Sequence, residues 1–261
     1  MTGAVAGRSP TAVISLTARL ALDVEVGPFV VIEDDVEVGA GTRLLTGTVL
    51  HSGSRVGAGC TIGPYAVVGG EPMDSHFGGE ESYAVVEDGV TLRDFVTVHR
   101  ATGAGRATRV GTGSLVMSYV HVSHNTVIGE HAVITTAAQL GGHVQIGHHA
   151  VLGSGALLHQ FTRVGAYAMF GAASAANQDV LPFSMARGNP ARHYRLNGIG
   201  LKRNGISGER YRDLERALRY VRRKELSALA DLAATSPDAK ELLDFIAASE
   251  RGVARFVTAG G

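Results

Sequence analysis

The sequence holds little of what many folds depend on. Cys60 is the single cysteine in 261 residues, which excludes a disulfide framework and any multi-cysteine metal centre; a reducing, cytoplasmic compartment is the expectation. Tryptophan is absent and aromatics make up only 6%, so the interior has to be built from aliphatic side chains. Twenty-four acidic residues cancel 24 Lys and Arg, so no net field draws the chain toward nucleic acid, and an electrostatic partner must be met by a local patch. No apolar run approaches the length of a membrane span, and the first residues lack the basic-then-apolar order of an export leader, so neither spanning nor secretion is expected. What is plentiful is glycine, with 35 residues, beside 45% hydrophobic residues. That pairing describes an aliphatic core interrupted by frequent turns.

The turns are periodic. An aliphatic residue recurs every six positions: Ile14, Leu20, Val26, Ile32 and onward to Val68, then Val86, Leu92 and Val98, then Val110 through Leu158, Val164 and Phe170. Only Asp74, Glu80 and Ala104 break the series. A unit of six residues is one short strand and one corner, and it cannot bury its apolar side alone; such units coil and stack into a parallel β-solenoid. Three units close one triangular coil, so residues eighteen apart become neighbours at about the 4.8 Å spacing of paired strands. The segments around Asp74 to Glu80 and Ala101 to Arg109 lack the inward aliphatic and are expected to project as loops. Beyond Val180 the pattern changes to an irregular Pro-, Gly- and Asn-rich stretch. Leu214, Leu218 and Val221 then fall at helical spacing, and Ser236 precedes a second apolar stripe as an N-cap. The expected domains are a β-helix over residues 1–190 and a small helical domain over 191–261.

Of the eleven histidines, five in the central coils are the candidates: His99, His121, His124, His143 and His159. Imidazole is the side chain best suited to take up and return a proton near neutral pH. The eighteen-residue register puts Gly142 one coil above His124 and Gln160 above that, with Asn125, His143 and Phe161 in the adjoining column. A base, a glycine amide that allows close approach and several polar groups thus gather at one corner. Acylation of a hydroxyl by a thioester needs that set: the base removes the hydroxyl proton and a backbone N–H meets charge developing on the carbonyl oxygen.

The blocks HVSHNTVIGEHAVITTAAQLGGHVQIGHHAVLGSGALLHQF and DVLPFSMARGNPARHYRLNGIGLKR resemble the acyl-carrier-protein-dependent UDP-N-acetylglucosamine O-acyltransferases that begin lipid A biosynthesis. The resemblance runs nearly the full length; hexads alone are shared by many transferases, whereas HQF, GNPA and NGIGLKR together are specific. It implies a left-handed parallel β-helix with a small α-helical C-terminal domain, assembled as a homotrimer with active sites between subunits. It implies His124 as general base and the Gly142 amide as oxyanion donor. Asp74, His76, His99, His121, His143, His159 and Gln160 fall on substrate-side positions. Asn197 and Arg203 match groups that contact nucleotide or acyl donor, and Phe170 and Ala172 lie near the far end of the acyl groove. Ala172 stands where the family uses glycine, which predicts a shorter or differently shaped acyl chain. No cofactor and no metal are implied beyond the carrier's own phosphopantetheine thioester. The partners implied are an acidic acyl carrier protein, facing a basic segment from Lys202 and Arg203 to Lys224, and a UDP-sugar.

Met73, His76, Ile199 and Asn204 depart from the family pattern, mainly at nucleotide-facing positions, and Asn125 occupies a position often held by Asp. Acyl transfer to a 3-amino sugar nucleotide would use the same corner. A metal enzyme of the γ-carbonic-anhydrase kind would use His143 and His148 with a third ligand. A purely structural solenoid would have no use for clustered histidines.

Overall fold

The computed structural model describes residues 7–257, so the outermost residues of the two expected domains, 1–6 and 258–261, lie outside the described residues. Within it the chain winds through short strands, most of them two residues long, that build three sheets. Face 1 has nine strands from Val13–Ile14 to Ala175–Ala176, and face 2 has eight from Arg19–Leu20 to Arg163–Val164. Face 3 has ten, from Glu25–Val26 through Ser184–Arg187 to a final antiparallel strand, Arg192–Leu196. All other pairings are parallel. Val13 pairs with Val31 and Val31 with Val49, each eighteen residues on, so the coil is triangular.

The period of two in each strand decides what is inside. The first residue of each pair points out and the second points in, where Ile32, Leu50, Val68, Val98, Val122 and Leu140 form one buried column. Each such side chain contributes about 1.5–3 kcal/mol relative to an exposed one. At most corners a residue sits in the left-handed region, including Asn125 (φ 58°), His143 (φ 60°) and Phe161 (φ 64°). A β-carbon there is strained by roughly 1–3 kcal/mol. The strain is offset because the left-handed N–H reaches the coil before it: His143 N–H donates to His124 O (3.0 Å) and Phe161 N–H to Gly142 O (2.9 Å).

Both breaks in the hexads fall between face 1 and face 2. Val67 pairs with Thr97, thirty residues on instead of eighteen, and Thr97 pairs with His121, twenty-four on. The excess is twelve residues and then six, whole multiples of the repeat. Two loops, 71–82 and 100–106, therefore leave the coil from one edge.

Helix α1 (Gly198–Arg203) follows face 3, then α2 (Gly208–Arg223), α3 (Leu226–Ala233) and α4 (Pro237–Ala247). They pack a second core of Leu196, Leu201, Leu214, Leu218, Leu229 and Leu242 against Leu181 and Phe183 at the end of the solenoid. Ser236 caps α4, its hydroxyl accepting from Ala239 N–H, with Pro237 behind it. Buried Asp179 accepts from Arg163 N–H (2.9 Å) and Ser249 Oγ (2.8 Å), and Arg163 lies over the Phe245 ring at 4.0 Å, which ties α4 to the coils.

Candidate active site

The edge between faces 1 and 2 carries the histidine corner. His124 and Asn125 occupy the turn of one coil, Gly142 and His143 the next, Gln160 and Phe161 the one after, as the eighteen-residue register predicts. The His124 ring is almost fully enclosed, with the residue 8% exposed. His143 meets it edge-on at 5.3 Å between centroids, and Phe161 stacks on His143 at 4.5 Å. A methyl group built on Gly142 would stand 2.5 Å from His124 Nε2, so only glycine lets the ring lie there.

His124 Nδ1 lies 2.9 Å from Asn125 Oδ1. An amide oxygen only accepts, so Nδ1 carries the hydrogen and Nε2 keeps its lone pair. The Asp74 carboxylate, carried in by loop 71–82, stands 3.7 Å from Nδ1. Asp74 is held well below the usual carboxylate range, first by the His76 backbone N–H and then by the His76 ring, so it is an anion at any pH of interest. The long reach from position 74 to 124 is thus made by the twelve-residue insertion.

The amide of Gly142 occupies a recurring turn position. It is the residue just before the left-handed one, and at three equivalent turns the N–H of that residue is taken by a carboxylate: Ser52 by Glu33 (3.0 Å), Ala58 by Asp88 (2.7 Å) and Thr112 by Glu87 (3.1 Å). This N–H therefore points outward and suits an anion. Among the described residues nothing accepts from Gly142 N–H.

His99 and His121 sit below this point on face 1, edge to face at 5.1 Å. His99 Nδ1 contacts Glu71 O, while His121 Nδ1 lies 2.8 Å from Thr97 Oγ1. Burial holds His121 below the ordinary histidine range, reinforced by His99; burial and then His124 do the same for His143. Both are therefore neutral polar groups near pH 7. From His121 a groove of about 480 Å³ runs along face 1 past Ser123, Gln139, Leu157 and Ala175 to Asn189 and Pro190. His159 lines it; Gln160, the next residue, is exposed at the edge.

Other expected residues lie elsewhere. Phe170 is 0% exposed, pointing inward from face 3, so its ring fills the core and not the outer wall; inward parity of the second strand residue explains this. Ala172 is exposed on the edge between faces 3 and 1. Asn197 is 5% exposed and committed to structure: its Oδ1 accepts from Gly200 N–H (3.2 Å) and its Nδ2 donates to Tyr167 O (2.9 Å). That places Asn197 and the exposed Arg203 beside the edge between faces 2 and 3, away from His124 of the same chain. His143 and His148 of one chain lie on different edges. What the sequence reading missed is Asn125 as a loop anchor, since its partner Thr102 is brought back by an insertion whose path no spacing records.

Residues 179–254 match the family model described as UDP N-acetylglucosamine O-acyltransferase, domain 2. Over 252 residues the chain is 39% identical to the acyl-[acyl-carrier-protein]–UDP-N-acetylglucosamine O-acyltransferase of Thermodesulfovibrio yellowstonii, covering 94% of this chain and 98% of that one. It is 41% identical over 253 residues to the protein of the same name from Saccharophagus degradans, with the same coverage. Among solved structures, the UDP-N-acetylglucosamine acyltransferase of Bacteroides fragilis superposes with a TM-score of 0.89 at 35% identity, over 95% of this chain and 99% of that chain. The UDP-N-acetylglucosamine O-acyltransferase of Moraxella catarrhalis does so at 0.90 and 32%, over 95% and 100%. Together, the coils, the histidine corner, the helical tail and these matches make the chain a member of the acyl-[acyl-carrier-protein]–UDP-N-acetylglucosamine O-acyltransferase family, an acyltransferase built on a left-handed parallel β-helix.

Proposed function

We infer that this enzyme moves a (3-hydroxy)acyl group from acyl carrier protein to the 3-hydroxyl of UDP-N-acetylglucosamine, the first step of lipid A biosynthesis, in the cytoplasm. The observation that carries the reading is the enclosed His124 ring, whose free Nε2 lies against Gly142, next to an apolar groove lined by the adjoining residues Ser123 and Gly141. His124 Nε2 takes the proton from the sugar hydroxyl as its oxygen attacks the thioester carbonyl. The carbonyl oxygen gains charge and accepts from Gly142 N–H. Collapse breaks the C–S bond, and the leaving thiolate of the phosphopantetheine arm recovers the proton from the imidazolium, so the enzyme ends as it began. His99, His121, His143, His159 and Gln160, with His76 and Asp74, bind the sugar nucleotide and donor around this point. The acyl chain lies in the face 1 groove, with Ala172 near its far end.

Surface chemistry supports a homotrimer. Five of the eight outward residues in register along face 2, Arg19, Glu37, Arg55, Arg109 and Arg163, are charged, the others being Val85, Val127 and Gln145. Those of face 3 become apolar beside the groove: Leu115, Val133, Val151, Met169. The shared edge of faces 3 and 1 carries an exposed stack, Tyr65 on Phe95 at 5.3 Å and Phe95 on Tyr119 at 5.0 Å. Placing that edge on a threefold axis sets face 3 of one subunit over the face 1 groove of the next, and brings Arg203 of one subunit to the His124 edge of its neighbour. The acidic carrier docks on α2, where Arg210 and Arg216 are paired with Asp238 and Asp213 while Arg212 and Arg219 face solvent.

The test is transfer from a panel of acyl and 3-hydroxyacyl carrier thioesters to UDP-N-acetylglucosamine and to its 3-amino analogue. An O-acyl product with a preferred chain length supports the reading. Transfer only to the 3-amino sugar, or to neither, overturns it.

A further inference from the structure

The orientation of the Asn125 amide is set from outside its own turn. Its Oδ1 accepts from Thr102 N–H (2.9 Å) and its Nδ2 donates to Thr102 O (2.9 Å), a two-point clamp on the backbone of loop 100–106. Asn125 N–H in turn donates to Thr108 Oγ1 (2.8 Å), which fixes the residue at the loop's exit. A backbone N–H and C=O cannot exchange roles, so the amide has one orientation. Only that orientation turns an oxygen toward His124 Nδ1; reversed, the amide would present a donor there and hold the ring in the tautomer whose Nε2 cannot accept a proton.

The loop is itself tied to the second insertion. Glu80 accepts from Gly103 N–H (2.6 Å) through one oxygen and from Gly78 N–H (2.8 Å) through the other. Loop 71–82, which carries Asp74, is thereby joined to loop 100–106, and both to Asn125. We propose that Asn125 is a positioning residue through which the backbone of loop 100–106 sets the tautomer of the catalytic imidazole, so that docking of the loop and readiness of the base are one event. This rests on His124 being the general base. A carboxylate at position 125 could accept from His124 and from Thr102 N–H, but it would set a second oxygen against Thr102 O, so the clamp belongs to the amide and is lost in an acid.

The experiment compares wild type with Asn125→Asp, Asn125→Leu and His124→Ala, reading kcat and KM across pH and hydrogen exchange of the Thr102–Thr108 peptide. Asn125→Leu lowers kcat about 10- to 100-fold with little change in KM, since orientation and not binding is lost. Asn125→Asp keeps an acceptor and adds a charge, so the acid limb of its kcat profile moves to higher pH. In both variants the loop peptide exchanges faster while coil peptides far from it do not. If His124→Ala is inactive yet both Asn125 variants match wild type in pH profile and loop exchange, the proposal is overturned. If His124→Ala stays active, the reading of the base fails first, and the exchange data then show separately whether the clamp exists.

Discussion

Two buried histidines show what separates an imidazole spent on structure from one left able to take a proton. His193, at the junction of solenoid and helices, spends both nitrogens on backbone: Leu181 N–H donates to its Nε2 (2.9 Å) and its Nδ1 lies 2.8 Å from Ala254 O. Burial pushes it down to about 4, and it stays neutral and inert. His124 is nearly as enclosed but spends one nitrogen on Asn125 and keeps the other free. Enclosure therefore does not decide what an imidazole can do; an uncommitted lone pair does, and of the two only His124 keeps one.

The largest break in this contrast comes from crowding the free nitrogen. Gly142→Ala puts a methyl group where Nε2 lies, and displacing the ring by about 1 Å is expected to lower kcat roughly 100-fold with little change in Tm. His193→Gln should do the reverse. It leaves turnover per folded enzyme near wild type but loses about 1–3 kcal/mol by leaving buried backbone groups poorly matched, seen as a lower midpoint in urea.

A pH series sharpens the same contrast. The folded-state value of His193 lies below the ordinary value near 6.5, so its stabilisation is fully present above about pH 6.5 and is lost as pH falls through about 4. Wild-type Tm should drop over that window, and His193→Gln should show a flatter profile there. The smallest effect concerns the groove. Ala172→Gly is expected to shift donor preference toward longer acyl chains by about 15-fold per pair of methylenes at most, since each is worth roughly 0.8 kcal/mol, read as kcat/KM over a donor panel.

Much of the fold was legible because its period is rigid. The inward column and the stacking of His124, Gly142 and Gln160 follow from counting. The two loops were also legible as breaks, but not their edge: insertions of twelve and six residues keep the six-residue phase while shifting which face comes next, so counting by eighteen fails between Val67 and His121. Asp74 beside His124 and Thr102 on Asn125 are contacts of that kind. Phe170 went to the core because parity along a strand outweighs proximity to a groove, and Asn197 became a helix cap because an asparagine before Gly-Ile-Gly has backbone N–H groups to satisfy.

The most direct test of the account is the transfer of a 3-hydroxyacyl group from acyl carrier protein to UDP-N-acetylglucosamine by wild type and His124→Ala, with Tm measured on the same samples. The account predicts a loss of about 100- to 10,000-fold in kcat with Tm nearly unchanged. Retained activity in His124→Ala, or a loss fully explained by unfolding, would contradict it.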